Sequence, residues 1–271
     1  TPVNDPPIVV TNGVPPSIGG PGPGPYATNT YDSAVWSFSF VSSFSDVETA
    51  NLYFTATGLP GGLSLSTNGL LTGTITNTAS TNVAGGVYTS VVTVTDAGGL
   101  QTNLTVTITV TNPWPVNTVP GAQTVAEDVK LFLNGTNTMS VFDLDDDVLT
   151  VTLTVTNGVV GLAQTNGLTF TSGNGTNASQ TFRALQSVIN AALTNLYYLG
   201  ATNYNGPDTL TLVTTDNQGG TVTNTVAITM TPVNDPPIVV TNGVPPSIGG
   251  PGPGPYATNT YDSAVWSFSF V

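Results

Sequence analysis

Fifteen carboxylates, two basic side chains, no histidine and no cysteine set the chemistry open to this 271-residue chain. General base catalysis has no imidazole to use, and nucleophilic catalysis has no thiolate. The densest acids are Asp143, Asp145, Asp146 and Asp147. Two of them could imitate a glycosidase carboxylate pair, but a run this tight more often lines a cation or a solvated loop. Lys130 near Glu127 invites an isopeptide crosslink, yet neighbours on one strand are badly placed for a cross-strand bond. The chain is therefore not expected to be an enzyme. A net charge of −13, with Lys130 and Arg183 as the only bases, gives no footprint for nucleic acid or an anionic membrane. It suits divalent cations.

These acids must be positioned by strands. Leu104, Val106, Ile108 and Val110 alternate with Thr105, Thr107, Thr109 and Thr111. Leu149, Val151, Leu153 and Val155 alternate with Thr150, Thr152, Thr154 and Thr156, and Val222, Val226, Ile228 and Met230 repeat the pattern. Period-two alternation predicts strands with one buried and one wet face, and Thr suits the wet face because it is β-branched and polar. Asn-Gly at Asn12, Asn68, Asn157 and Asn166, and Gly-Gly at Gly61, Gly85, Gly98 and Gly219, supply the turns. The fold class read from this is all-β, built of β-sandwiches. One short helix is predicted over Arg183–Leu193. Trp36 and Trp114 are read as packing residues, the second at a domain joint. With no cysteine, no disulfide holds the fold.

Residues 231–271 repeat residues 1–41 letter for letter, 230 positions apart. Loop surfaces are free to drift, so such identity points to a tandem array of near-identical units. Pro-rich stretches at Pro2–Pro7, Pro113–Pro115 and Pro232–Pro237 divide the chain. They imply a linker at 1–7, one sandwich at 8–113, a second at 114–236, and the first strands of a further copy at 237–271. That last piece is too small to close a sandwich and must continue into further chain or be completed by another. The Gly-Pro run Ser17–Pro25 cannot join a sheet interior and is read as a surface loop. Stacked end to end, the domains should repeat every ~70–90 Å, since a ten-residue strand spans roughly 33 Å.

Several segments resemble known modules. Phe44–Glu48, Ala56–Ser64, Gly69–Thr74 and Val92–Gly99 resemble the bacterial putative-Ig (dystroglycan-type cadherin-like) module. Gln123–Asp128, Val141–Asp145, Gly167–Phe170, Ile189–Leu193 and Tyr204–Leu210 resemble the cadherin-like repeats of bacterial surface proteins. Val233–Pro237 is similar to the linker that joins such modules. The resemblance implies tandem Ig-like and cadherin-like sandwiches that take up Ca²⁺ at their junctions. Asn4, Asp5, Asp46, Glu48 and Asp96 would gather at the top of the first domain. Asp143, Asp145 and Asp216 would sit at the middle junction, and Glu127, Asn234 and Asp235 at the far end. Because Asn112-Pro113 lacks the Asp of Asn4-Asp5, the middle site is expected to be weaker or lost. The functional expectation is a structural extracellular or cell-surface repeat protein forming a filament, stalk or sheath. Its partners would be identical repeats along the chain and neighbouring filaments, with no nucleic acid. No membrane span is expected, since no apolar run approaches about 18 residues. Two rivals stay open: the spacer of a calcium-dependent bacterial adhesin, and the spacer of a secreted carbohydrate-active enzyme.

Overall fold

The computed structural model describes residues 3–10, 26–48 and 51–236. Thr1–Pro232 form one compact unit, and Val233 opens a second. The expectations for the Gly-Pro run and for the copy at 237–271 fall outside the described residues.

The fold is all-β. Within the first unit, two separate cores form, and no sheet is shared between them. The first sandwich carries β1 (Ile8–Val9), β2 (Tyr26–Tyr31), β3 (Val35–Ser39), β4 (Phe44–Ser45), β5 (Tyr53–Thr57), β6 (Leu63–Leu65), β7 (Leu70–Thr74), β8 (Val87–Thr95) and β9 (Gln101–Thr111). One sheet runs β2-β9-β8-β5 and the other β3-β7-β6, with β1 paired to β4. Phe54, Leu71, Val92, Leu104, Val106 and Ile108 fill the space between the sheets. The alternation in β9 places its four aliphatic residues inward and leaves its threonines at the surface, as the period of two requires.

The second sandwich carries β10 (Val116–Thr118), β11 (Gln123–Ala126), β12 (Leu131–Leu133), β13 (Ser140–Phe142), β14 (Val148–Thr154), β15 (Gly158–Gly161), β16 (Thr169–Ser172), β17 (Thr176–Asn177), β18 (Ser179–Leu185), β19 (Leu196–Gly200), β20 (Gly206–Thr215) and β21 (Thr221–Thr231). Its sheets run β11-β21-β20-β14-β18-β16 and β12-β19-β15-β17, with β10 paired to β13. Leu149, Leu153, Phe182, Leu212 and Ile228 are among its fully enclosed side chains. Tyr198 is enclosed with them, and its hydroxyl donates to Asp208 at 2.8 Å, so the polar tip is satisfied.

The predicted helix is real but shorter than expected. It spans Gln186–Leu193, and Arg183–Leu185 belong to β18 instead, paired with Val148–Thr150. The ladder to β14 outweighs local helical pattern there. Ile189, Ala192 and Leu193 are buried on the helix, whereas Leu185 lies exposed on the strand. Trp114 is also a correction: it is 67% exposed rather than packed into the joint.

Every described strand pair is antiparallel except two. β2 runs parallel to β9 over six residue pairs, and β11 runs parallel to β21 over four. Each joins the first long described strand of a sandwich to its last. The corner that follows is shared too. Asp32 N–H donates to Thr111 O at 3.0 Å, and Glu127 N–H donates to Thr231 O at 2.9 Å. The next residues, Ser33 and Asp128, both take positive φ, 62° and 61°. Thus Asp32 and Glu127 occupy the same place at the base of their respective sandwiches.

Candidate metal centre

Each sandwich also has a top, built from three pieces. The first is the linker Asn. Asn4 Nδ2 donates to Asp96 Oδ2 at 2.8 Å, and Asn112 Nδ2 donates to Asp216 Oδ2 at 2.9 Å. The second is the turn between the two long final strands. Asp96 Oδ1 accepts from Leu100 N–H at 2.9 Å, and Asp216 Oδ1 accepts from Gly220 N–H at 2.8 Å. The third is an acidic pair after a short strand. Glu48 N–H donates to Asp46 Oδ1 at 2.9 Å, and Asp145 N–H donates to Asp143 Oδ1 at 3.1 Å. Self-capping of this kind closes the loop on its own first acid.

Glycine lets the linkers come this close. A Cβ on Gly98 would lie 2.5 Å from the Asn4 amide, and one on Gly220 would lie 2.3 Å from Asp216 Oδ2 and 2.9 Å from Trp114.

At the first top the linker approaches the turn and the acidic pair. Asp5 N–H reaches Glu48 Oε2 at 3.5 Å, while Asn4 holds Asp96. Asn4, Asp5 and Glu48 are exposed, Asp46 is half-buried and Asp96 is buried. Burial pushes the Asp96 carboxyl up, but donation by the Asn4 amide and by the Leu100, Gly98 and Gly99 N–H groups outweighs it and holds the group below the usual range. Glu127, at the base of the second sandwich, accepts from Asn205 Nδ2 at 3.1 Å. Asn234 and Asp235 belong to the second unit.

The middle joint is different in kind. Asp143, Asp145 and Asp216 lie there together with Asp32 and Asp147. All five are buried, with exposures of 0% for Asp32, 1% for Asp143, 5% for Asp145, and 6% for Asp147 and Asp216. The acidic run explains itself by alternation: positions 143, 145 and 147 turn inward, while Leu144 and Asp146 face water. Asp32 comes up from the base of the first sandwich and accepts from Ser80 N–H at 2.9 Å. Asp147 accepts from Asn77 Nδ2 at 3.1 Å and from Gln218 Nε2 at 2.9 Å.

Donors do not cover these acids. Asp32 Oδ2, Asp143 Oδ2, Asp145 Oδ1 and the carbonyl Oδ1 of Asn112 are buried with no hydrogen-bond partner. Neither Lys130 nor Arg183 contributes a bond to this group; Arg183 donates to Asn217 instead. Burial, then the neighbouring Asp143, then the charges of Asp147 and Asp32, push the Asp145 carboxyl up to about 8. Asp147 is raised as well, chiefly by burial, despite the opposing hydrogen bond from Gln218. Among the described residues, no group of three or more acids is placed to hold a metal ion as it stands. The joint instead holds bare, buried, mutually repelling oxygens of the hard type that Ca²⁺ prefers. The carboxylates of Asp32, Asp143, Asp145, Asp147 and Asp216, with Asn112 Oδ1, fit such an ion in chemistry.

Sequence reasoning missed Asp32, Asn77, Asp147 and Gln218. The signal for Asp147 was its two-residue spacing from Asp145. Asp32 carried no local signal, because its place is set by the parallel pairing of β2 with β9.

Residues 15–111 match the family described as Putative Ig domain. The matched stretch ends at the close of β9. No curated protein matches the chain. Among solved structures, the chain is similar to Sidekick-1 immunoglobulin domains 1-5, at 11% identity and a TM-score of 0.37, covering 84% of this chain and 40% of that one. It is similar to Drosophila N-cadherin EC1-3 at 13% identity and a TM-score of 0.27, covering 85% and 69%. An endo-fucoidan hydrolase of glycoside hydrolase family 107 is similar at 18% identity and a TM-score of 0.32, covering 81% of this chain and 30% of that one. Among the described residues, no helix is long and apolar enough to cross a membrane.

Proposed function

We propose that this is a structural, non-catalytic repeat protein of the extracellular space or cell surface, whose tandem Ig-like and cadherin-like sandwiches, 8–113 and 114–236, form a filament, stalk or sheath. The observation that carries the reading is the pairing of first and last strands. In a parallel pair, tension applied to the start of one strand and the end of the other slides the strands past each other. All their bonds then resist together. An antiparallel pair pulled at its common end opens one bond at a time. In both sandwiches the load path crosses the parallel pair: β2 with β9 and β11 with β21. The 41-residue identity between 1–41 and 231–271 supports repetition of this path along the array.

Calcium fits this role at the joints. Bound at the middle joint, it would neutralise carboxylates that otherwise repel one another. It would be held by Asp32 of one sandwich and by Asp143, Asp145, Asp147 and Asp216 of the next. Asn4, Asp5, Asp46, Glu48 and Asp96 provide the same elements at the first top. The partners in this reading are identical repeats along the chain and neighbouring filaments. Low-resolution imaging of the native material tests the structural reading: filaments with an axial repeat of ~70–90 Å are expected from strand length. Isolated globular particles, or a repeat under about 50 Å, would refute it.

A further inference from the structure

Gln218 stands at the middle joint, and its side chain touches both sandwiches. Its Nε2 donates to Asp147 Oδ2 at 2.9 Å and to Asp145 Oδ2 at 3.5 Å, both in the second sandwich. The same nitrogen donates to the backbone oxygen of Asn77 in the first sandwich. Ser80, also in the first sandwich, donates its hydroxyl to Gln218 Oε1 at 2.8 Å, which fixes which way the amide faces. Its backbone N–H is anchored on Asp216 Oδ1 at 2.8 Å. Two positions after Asp96, the corresponding turn of the first sandwich has Gly98, which carries no side chain at all.

We propose that Gln218 is a built-in tie of the middle joint, a neutral amide that bridges the acids of the second sandwich to the first on carboxylate oxygens that a divalent cation would also take. Four contacts on one side chain, two to each sandwich, span a joint that otherwise brings like charges together. An N–H donor and a cation compete for the same lone pairs, so each weakens the hold of the other. The competition rests on the calcium reading above; the tie itself does not. The device has a simple consequence: the middle joint keeps a fixed geometry when divalent ions are scarce.

The chain has no cysteine, so one spin label can be placed on each sandwich through Thr105→Cys and Thr223→Cys, both exposed. Distance distributions are then measured on the full chain in chelator and in calcium. In chelator the parent should give a narrow distribution. Gln218→Ala should raise the population of open joints about fivefold or more, as expected for losing one net hydrogen bond. Ser80→Ala should give a smaller broadening in the same direction. Gln218→Lys, which sets an ammonium among the same acids, should stay narrow and lose any response to calcium. A Gln218→Ala distribution as narrow as the parent's in chelator overturns the tie. A parent that takes up no calcium, with Gln218→Ala still loose, keeps the tie and removes the calcium reading. Calcium uptake with an unchanged Gln218→Ala distribution removes the tie alone.

Discussion

At the top of the first sandwich, Asn4 holds Asp96 and the acidic pair Asp46 and Glu48 lies at or near the surface; at the top of the second, Asn112 holds Asp216 and the acids are buried under the first sandwich. The hydrogen-bond plan is the same and the dielectric is not. At the first top water reaches Asp5 and Glu48, and Asp96 is held by donors of its own turn and by Asn4. A buried one needs a donor, a proton or a cation. The middle joint supplies too few donors, which leaves it open to the other two. The linker comparison, Asp5 against Pro113, made the middle site look poorer. It could not count Asp32 and Asp147, which the neighbouring sandwich and the strand alternation bring in.

The two turn aspartates should show the largest difference between the tops. Asp216 accepts from Gln218 N–H, Gly220 N–H and Asn112, and stripping it leaves one buried and two part-buried donors without this partner. Asp216→Ala should destabilise the second sandwich by about 2–3 kcal/mol in chemical denaturation. Asp96→Ala should destabilise the first sandwich by less, since its donors on Asn4, Gly98, Gly99 and Leu100 belong to exposed residues that water can satisfy. Equal losses would mean that the two tops are energetically alike.

Acidity separates the tops in opposite directions. Asp145 is raised in the folded chain from an ordinary 3.8 to about 8. Its contribution to the joint is therefore complete below about pH 4 and is lost as pH rises through that window in the absence of divalent ions. Asp96 is lowered, so its contribution is present above the ordinary value and lost as pH falls. Melting curves in chelator from pH 4 to pH 8 should show the second sandwich weakening with rising pH, and Asp145→Asn should flatten that slope. A flat parent profile would contradict the crowding of acids at the joint.

Glycine substitution sharpens the same contrast on a smaller scale. Gly220→Ala forces a methyl onto Asp216, Trp114 and Pro115 and should cost about 1–3 kcal/mol. Gly98→Ala meets only the movable end of Asn4 and should cost under about 1 kcal/mol. The smallest expected difference is mechanical. With six parallel pairs against four, the first sandwich should yield at the higher force when the chain is pulled by its ends. The order of unfolding events in a single-molecule trace decides this.

Much of the architecture was legible in the sequence because a half-buried strand writes its own period. Leu104 to Val110 and Leu149 to Val155 alternate, and each lies inward where the pattern says. The helix was legible in its second half, where Ile189, Ala192 and Leu193 meet the core, and misread at Arg183–Leu185, where a long-range ladder decides. The tops were legible through short acidic motifs beside strand ends. The base was not: Asp32 and Glu127 look unrelated in sequence and become equivalent only through parallel pairings to strands some eighty and a hundred residues away. Gln218 was unreadable for the same reason, since Asn77 and Ser80 come to it from the other sandwich.

Terbium luminescence reads directly whether the middle joint takes up a divalent cation. Trp114 lies against Gly220 beside Asp216, so an ion at the joint would sit near an excitable indole. Excited through tryptophan, the full chain in low salt should sensitise bound terbium, and calcium should compete the signal away. Trp114→Phe should remove the sensitised emission, and the pair Asp145→Asn with Asp147→Asn should remove the binding. No sensitised emission from the parent chain, or emission untouched by those substitutions, would contradict a cation site at the middle joint.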